Sequence, residues 1–300
     1  MFAVVSAIGD RYRVLTDKQW ELLELLLPKS EGHVGRNFAN NRLVVEGMLY
    51  RLRTSLPWRD LPEHFGPWQT VWKRHRRYAA DGTWDRVLTA VVALADTTGD
   101  LDWVVSIDST IVGAHQHAGG AGADSVSGGY EPAGHAIGRS RGGLTTKIHL
   151  AADGAGRGLA VLVTPGQTND SPLLPPLLDA VVVPRLEGGP PRRNPDVVIA
   201  DRAYSAASNR TRLRRKRIRT VIPERSDQVA NRKRKGSSGG RAPRFDPDLY
   251  KRRNVIERAF NKAKHWRAVT TRYDKLAITY RAGFVLALIV EWLKSLGDTT

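Results

Sequence analysis

The chain contains no cysteine among its 300 residues. A disulfide scaffold, a thiolate zinc finger, an iron–sulfur cluster and a thiol nucleophile are therefore excluded, and the absence fits a reducing cytoplasm. Long apolar runs are missing too. The most apolar stretch, 276–293, is interrupted by Arg281 and Glu291. Its longest uncharged piece, 282–290, would span about 14 Å as a helix, against a bilayer core of about 30 Å. It reads as a buried C-terminal helix, and no membrane association is expected. The first ten residues carry neither the basic start nor the small-residue cleavage site of a secretion signal. No internal repeat stands out.

Acidic residues are scarce where basic ones are dense. Lys and Arg number 47 against 30 Asp and Glu, a net charge of +17. Between Arg202 and Arg272 there are 23 basic and 5 acidic residues, so this segment alone carries +18 and the remainder −1. A concentrated positive field of this kind faces a polyanion, most often nucleic acid. With 41% hydrophobic and 26% charged residues, the chain has the composition of a packed globular protein.

The first third reads as helices. Thr16-Asp17 opens a periodic stretch (Trp20, Leu23, Leu26, Leu27) closed by Pro28. A second helix covers 40–56, followed by a proline-rich break, a basic helix over 68–80 and a last helix over 85–96. Two short helices across a tight connection, the second basic, form a helix-turn-helix pattern. In the second of them Val71, Trp72, His75 and Tyr78 are expected inward, and Gln69, Thr70, Lys73, Arg74, Arg76 and Arg77 outward onto DNA. Glutamine and threonine suit base edges there, lysine and arginine phosphates. Trp20, Trp58, Trp68, Trp72 and Trp84 are expected in the helical core.

From residue 102 the period changes. Strands are expected over 103–108, 144–150, 159–163, 197–200 and 219–222, with helices late in 169–183, over 204–217 and over 250–266. Hairpin-linked strands followed by α/β crossovers imply a mixed five-stranded sheet with helices on both faces, an order shared by the ribonuclease-H-like fold. The chain thus divides into a helical domain, 1–98, and an α/β domain, 99–300. Glycine-rich 119–143 and basic 225–247 read as mobile loops.

Three acids stand out against this background. Asp108 ends the first strand (Val-Val-Ser-Ile-Asp) and Asp201 the fourth (Val-Val-Ile-Ala-Asp). In the expected sheet these strands are adjacent and parallel, which makes the two carboxylates neighbours that repel unless a cation lies between them. Glu257 sits in a helix with Tyr250, Arg253 and Lys264 on nearby positions of its circumference. Hard divalent cations prefer such oxygen ligands. Two Mg²⁺ ions about 3.5–4 Å apart can polarise a phosphodiester, activate a nucleophile and stabilise the leaving oxygen. Mn²⁺ is the expected substitute.

The spacing Tyr250-x₂-Arg253-x₃-Glu257-x₆-Lys264 resembles the helix signature of the DDE transposases of bacterial insertion sequences. It matches the insertion sequence 5 family, within the group that includes insertion sequence 4. Ile107-Asp-Ser-Thr110 and Asp201-Arg-Ala-Tyr204 resemble that family's first and second acid motifs. The segments 138–149 and 164–170 resemble its connecting segments, and Leu56-Pro-Trp-Arg-Asp-Leu-Pro62 with Gly66-Pro-Trp68 its N-terminal domain. The resemblance covers about 15–296 and is weakest over 119–134. It implies that Asp108, Asp201 and Glu257 are the metal-binding catalytic triad. The freed 3′-OH of each element end would then attack target DNA. By the same resemblance Tyr250, Arg253 and Lys264 position the end DNA, with Arg202 and Tyr204 as further contacts. The resemblance further implies that the N-terminal helices recognise terminal inverted repeats and that the protein works as a homodimer or higher assembly. The rival readings are a non-catalytic DNA-binding protein derived from a transposase and a nuclease that never joins strands. His115, His117, His135 and His149 are too loosely spaced for a metal site.

Overall fold

The computed structural model describes residues 12–29, 40–119, 131–140 and 142–297. The first ten residues and much of the glycine-rich stretch 119–143 lie outside them.

Helix α1 (Asp17–Leu26) starts where Thr16 and Gln19 cap each other reciprocally. Asn40 accepts the Leu43 N–H to open α2 (Asn41–Thr54), and Ser55, at φ 62°, stops it. Short 3₁₀ turns at Trp58–Asp60 and Glu63–Phe65 take up the proline-rich break before α3 (Trp68–Ala80). Gly82 then turns the chain into α4 (Thr83–Thr97). All four helices match the periodicity of the sequence to within two residues.

Among the described residues one mixed sheet follows, with seven strands rather than five. They are β1 (Val104–Ala114), β2 (Gly138–Ser140), β3 (Gly143–Ala152), β4 (Gly158–Pro165), β5 (Val197–Ala200), β6 (Arg219–Val221) and β7 (Thr271–Arg272). The order is β2-β3-β1-β5-β6, with β4 also on β3 and β7 also on β1. The additional β2 and β7 have three and two residues and no apolar run, so nothing in their composition announces them. Helix α5 (Leu174–Asp179) connects β4 to β5, and α6 (Ala207–Arg215) connects β5 to β6.

Residues 226–234 are not a loop. They form α7 (Ser226–Arg234), with Asp227 in the first turn and Arg232, Lys233 and Arg234 in the last, a charge order that suits the helix dipole. The glycines and serines that suggested a loop lie beyond its end. The helix expected over 250–266 is assembled from α8 (Pro247–Tyr250), a 3₁₀ turn at Lys251–Arg253 and α9 (Asn254–Lys264), with α10 (Arg267–Thr270) leading into β7.

The chain closes with α11 (Ala277–Gly297), buried along most of its length. Trp292 is fully enclosed, donates its Nε1–H to the Gly158 carbonyl at 2.8 Å and lies under Arg157. The same helix packs on α1, α3, α4 and β4, so a single apolar core runs from the helical third into the sheet. Among the described residues no helix is long and apolar enough to cross a membrane.

Candidate active site

Asp108 does not end its strand. It is the fifth of eleven residues in β1, which continues because β3 pairs with it as far as Gly113. What ends there is the neighbour. β5 runs parallel to β1 in the register Val104↔Val197 to Ile107↔Ala200. The next positions along are Asp108 and Asp201, on strands about 4.8 Å apart. Further on, β7 takes the same edge of β1 at Gly113 and Ala114. Helix α9 packs across β1 and β3, and Arg253 just before it links Glu257 to Asp108.

Local structure holds each acid. Asp108 accepts the Ser109 N–H at 2.8 Å, and Asp201 the Ala203 N–H at 2.9 Å, where it caps the 3₁₀ turn Arg202–Tyr204. Glu257 lies in the first turn of α9, with Val255, Ile256, Ala259, Phe260 and Ala263 buried beneath it. Arg253 is the hub. One arm of its guanidinium binds Asp108 and the other binds Glu257 at 2.5 Å. Burial raises the Asp108 pKa above the ordinary carboxylate value and the nearby Asp201 adds to the rise, against the Ser109 N–H and Arg253. Tyr250 is half-buried against Val197, Ile199 and Val221, and burial together with the two aspartates pushes its phenol upward. Arg202 and Lys264 are exposed.

The donor set is all hard oxygen, which suits a divalent cation. Among the described residues, however, no three acidic or histidine side chains converge on one point. Glu257 is turned to Arg253, which spans the two acids as a cation would.

Two candidate contacts are corrected. Tyr204 is 1% exposed, filling the core under the acids, and cannot touch DNA. Arg74 points inward, because position 74 falls on the buried side of α3, and it donates to Asn41 Oδ1 at 2.7 Å. Gln69, Lys73 and Arg77 on that helix are exposed, Thr70 and Arg76 half-buried. Of the tryptophans, Trp20 and Trp84 are core residues, Trp58 and Trp68 are half-buried and pack against the core from the wall of a cleft, and Trp72 is half-buried on that wall.

Sequence reasoning missed a fourth acid. Asp170 accepts from Ser109 Oγ at 2.8 Å and from Lys147 Nζ at 3.1 Å, and His149 Nδ1 lies 3.7 Å away. It thus reaches the residue next to Asp108 from the other face of β1. The available signal was a lysine at position 147 inside a strand whose neighbours are all buried, since a buried lysine needs an acid.

The family described as "Putative transposase of IS4/5 family" matches residues 15–88, and that described as "Transposase DDE domain" matches 99–292. A Sinorhizobium fredii relative, "Uncharacterized protein y4sN", is 40% identical over 119 residues, covering 39% of this chain and 89% of its own. The "Putative transposase for insertion sequence element IS6501" of Brucella ovis is 32% identical over 152 residues, half of this chain and all of its own. Among solved structures, the "Mos1 transposase paired-end complex with left transposon end" aligns over 80% of this chain and 82% of its own, at 11% identity and a TM-score of 0.25. With the transposase DDE domain matched over residues 99–292, the chain belongs to the DDE transposases of bacterial insertion sequences, in the insertion sequence 4/5 group.

Proposed function

We propose that the protein cuts DNA at the terminal inverted repeats of an insertion sequence and joins the freed 3′-OH to target DNA, with Asp108, Asp201 and Glu257 as the catalytic acids. The observation that carries this reading is the register of β1 and β5, which sets Asp108 beside Asp201. Two carboxylates side by side weaken a fold, and a protein that only binds DNA has no use for them. The strand order β4-β3-β1-β5-β6, an antiparallel meander followed by parallel crossovers, supports a ribonuclease-H-like domain over 99–300 behind a helical domain over 1–98.

Asp108, Asp201 and Glu257 would hold Mg²⁺, two ions in the full site, or Mn²⁺ in its place. When bound, the metal polarises the scissile phosphate and lowers the pKa of the attacking water or hydroxyl. The chain's own residues do the rest. The Ser109 and Ala203 N–H groups fix the two aspartates. Arg253 holds Glu257 and Asp108 until DNA arrives, and its guanidinium fork then suits a phosphate, releasing both acids. Lys264, two helical turns beyond Glu257, Tyr250 and Arg202 line the approach of the end DNA. Gln69, Thr70, Lys73, Arg76 and Arg77 of α3 face the terminal repeats. Two ends must be brought together, so a homodimer or larger assembly on DNA is the working form, acting at the nucleoid in the cytoplasm.

The test is cleavage of labelled DNA carrying the gene's own flanking ends, in Mg²⁺ and Mn²⁺, with wild type beside Asp201→Ala. Metal-dependent nicking at the ends that disappears in the variant supports the reading, and joined products make it transposition. Binding of DNA by both proteins with cleavage by neither sinks it in favour of a non-catalytic DNA-binding protein.

A further inference from the structure

The chain leaves the sheet after β6 and returns to it at α8, and an open cavity of about 290 Å³ lies where the two points meet. Four arginines line it. Arg210 and Arg214 stand four residues apart on one face of α6, Arg219 comes from β6, and Arg244 from the returning segment. The acid among the lining residues is Asp246. The cavity thus carries four positive charges against one negative. Guanidinium groups gathered around one space repel each other unless an anion joins them.

Asp246 is already committed. It accepts the Leu249 N–H at 3.0 Å as the cap of α8, binds Arg219 at 2.6 Å and has Arg244 nearby, and these contacts hold its carboxyl below the ordinary value. Arg219 keeps further N–H donors beyond that pair. Arg210 is fixed by carbonyls rather than by an acid. Its guanidinium donates to Ile222 and Pro223 at 2.9 and 3.3 Å, and burial lowers its pKa against the pull of Glu224, which is itself bound by Arg232. Among the described residues Arg214 has no carboxylate within salt-bridge reach. The backbone adds a donor. The Arg219 N–H is turned to β5, where it meets the Asp196 carbonyl at 3.0 Å. The next N–H, that of Thr220, points the other way, off the outermost strand of the sheet on this side. Guanidinium forks and backbone N–H groups are the donors a phosphate takes. The position suits DNA as well. Asp246 caps α8, which carries Tyr250, and Arg253 follows seven residues after Asp246, about 10–14 Å at helical rise. A few nucleotides span that distance.

We infer that this cavity holds a phosphate of the DNA backbone, gripped by Arg210, Arg214, Arg219 and Arg244 with the Thr220 N–H. The inference rests on the DNA-processing reading given above. It adds an anchoring site separate from the acids and from the exposed stripe of α3.

The experiment measures fluorescence anisotropy of a labelled mixed-sequence duplex of about 30 base pairs in EDTA, over about 50–300 mM KCl. Wild type is compared with two double variants at exposed positions, Arg214→Gln with Arg244→Gln and Arg214→Lys with Arg244→Lys, each checked by thermal melting. The glutamine pair should weaken binding about tenfold near 150 mM salt and flatten the slope of log K against log salt by about 0.9, the value of one phosphate. The lysine pair keeps the charge and loses the fork, so it should recover less than half of that loss on a logarithmic scale. Inorganic phosphate at about 50 mM should raise the wild-type melting temperature by about 2 °C over chloride of equal ionic strength, and leave the glutamine pair unmoved. Unchanged duplex binding by the glutamine pair overturns the inference, and full binding by the lysine pair does so too, because a diffuse positive field then suffices; the DNA reading stands in both cases. A phosphate-dependent rise lost in a glutamine pair that binds duplex normally overturns it as well, by giving the cavity to free phosphate. A wild type that binds no duplex removes the DNA reading itself.

Discussion

Lys147→Met probes the ion pair beneath the acids. Lys147 is 8% exposed in β3, and its Nζ donates to the Thr168 carbonyl at 2.6 Å and to Asp170 at 3.1 Å. Methionine keeps the apolar stem and removes the charge. Asp170 is then left with the Ser109 hydroxyl and no cation. His149 cannot replace the lysine, because burial lowers its pKa to about 4 and it is neutral at pH 7. Stripping one partner from a fully buried pair costs about 3–5 kcal/mol, whereas exposed pairs are worth about 0–1. The Asp170 side chain is 23% exposed. We therefore expect a loss of about 2 kcal/mol, a shift of about 0.7 M in the urea midpoint for an m-value near 3 kcal/mol/M. Asp170→Asn should cost a similar amount. The double variant should cost clearly less than the sum, with a coupling of about 1–2 kcal/mol. Losses that add to within about 0.5 kcal/mol would show that the two groups do not act as a pair, and the proposed support of β1 at Ser109 would fall with them.

Three further outcomes are expected. Asp108→Asn should abolish metal-dependent nicking yet raise the melting temperature in EDTA by a few degrees, because burial and Asp201 both disfavour the native carboxylate; an unchanged nicking rate removes Asp108 from the triad. His75, enclosed beside Arg51 and Asp274, has its pKa lowered by burial from 6.5 to about 4. Its contribution to stability is full above pH 6.5 and is lost as the pH falls towards 4, amounting to about 2 kcal/mol at pH 5; a melting curve for His75→Phe as steep in pH as wild type's would contradict this. Gly158→Ala would place a Cβ 2.5 Å from Leu288 Cδ1, so the buried Leu288 side chain must repack between α11 and β4 at a cost of about 1–3 kcal/mol, read by thermal melting; no change in melting would show the α11–β4 contact to be slack.

Much of this architecture could be read from local pattern. The start at Thr16-Asp17, the apolar runs of β4 and β5 and the period of α3 and α4 are short-range signals, and the corresponding elements stand where they were expected. Short elements without such signals were hidden. β2 and β7 exist because longer strands offer them an edge, and α7 lay inside a segment whose composition resembled a loop. Orientation on α3 was legible only in part. Arg74 looked like a phosphate contact and proved to be a buried partner of Asn41, while Trp72 looked like core and stands on a cleft.

By itself the sequence determined which residue types were available and at what spacing: three acids, the Tyr250–Lys264 signature and a positive field concentrated in 202–272. Those are properties of covalent order and charge, which survive any fold. Only the tertiary structure decided that β5 stops one residue short of Asp201 beside Asp108, that Arg253 spans two of the acids, that Asp170 reaches Ser109 and that three indoles share one cleft. Each of these is a contact between residues far apart in the chain. Register, packing and edge pairing set them, and no local periodicity encodes them.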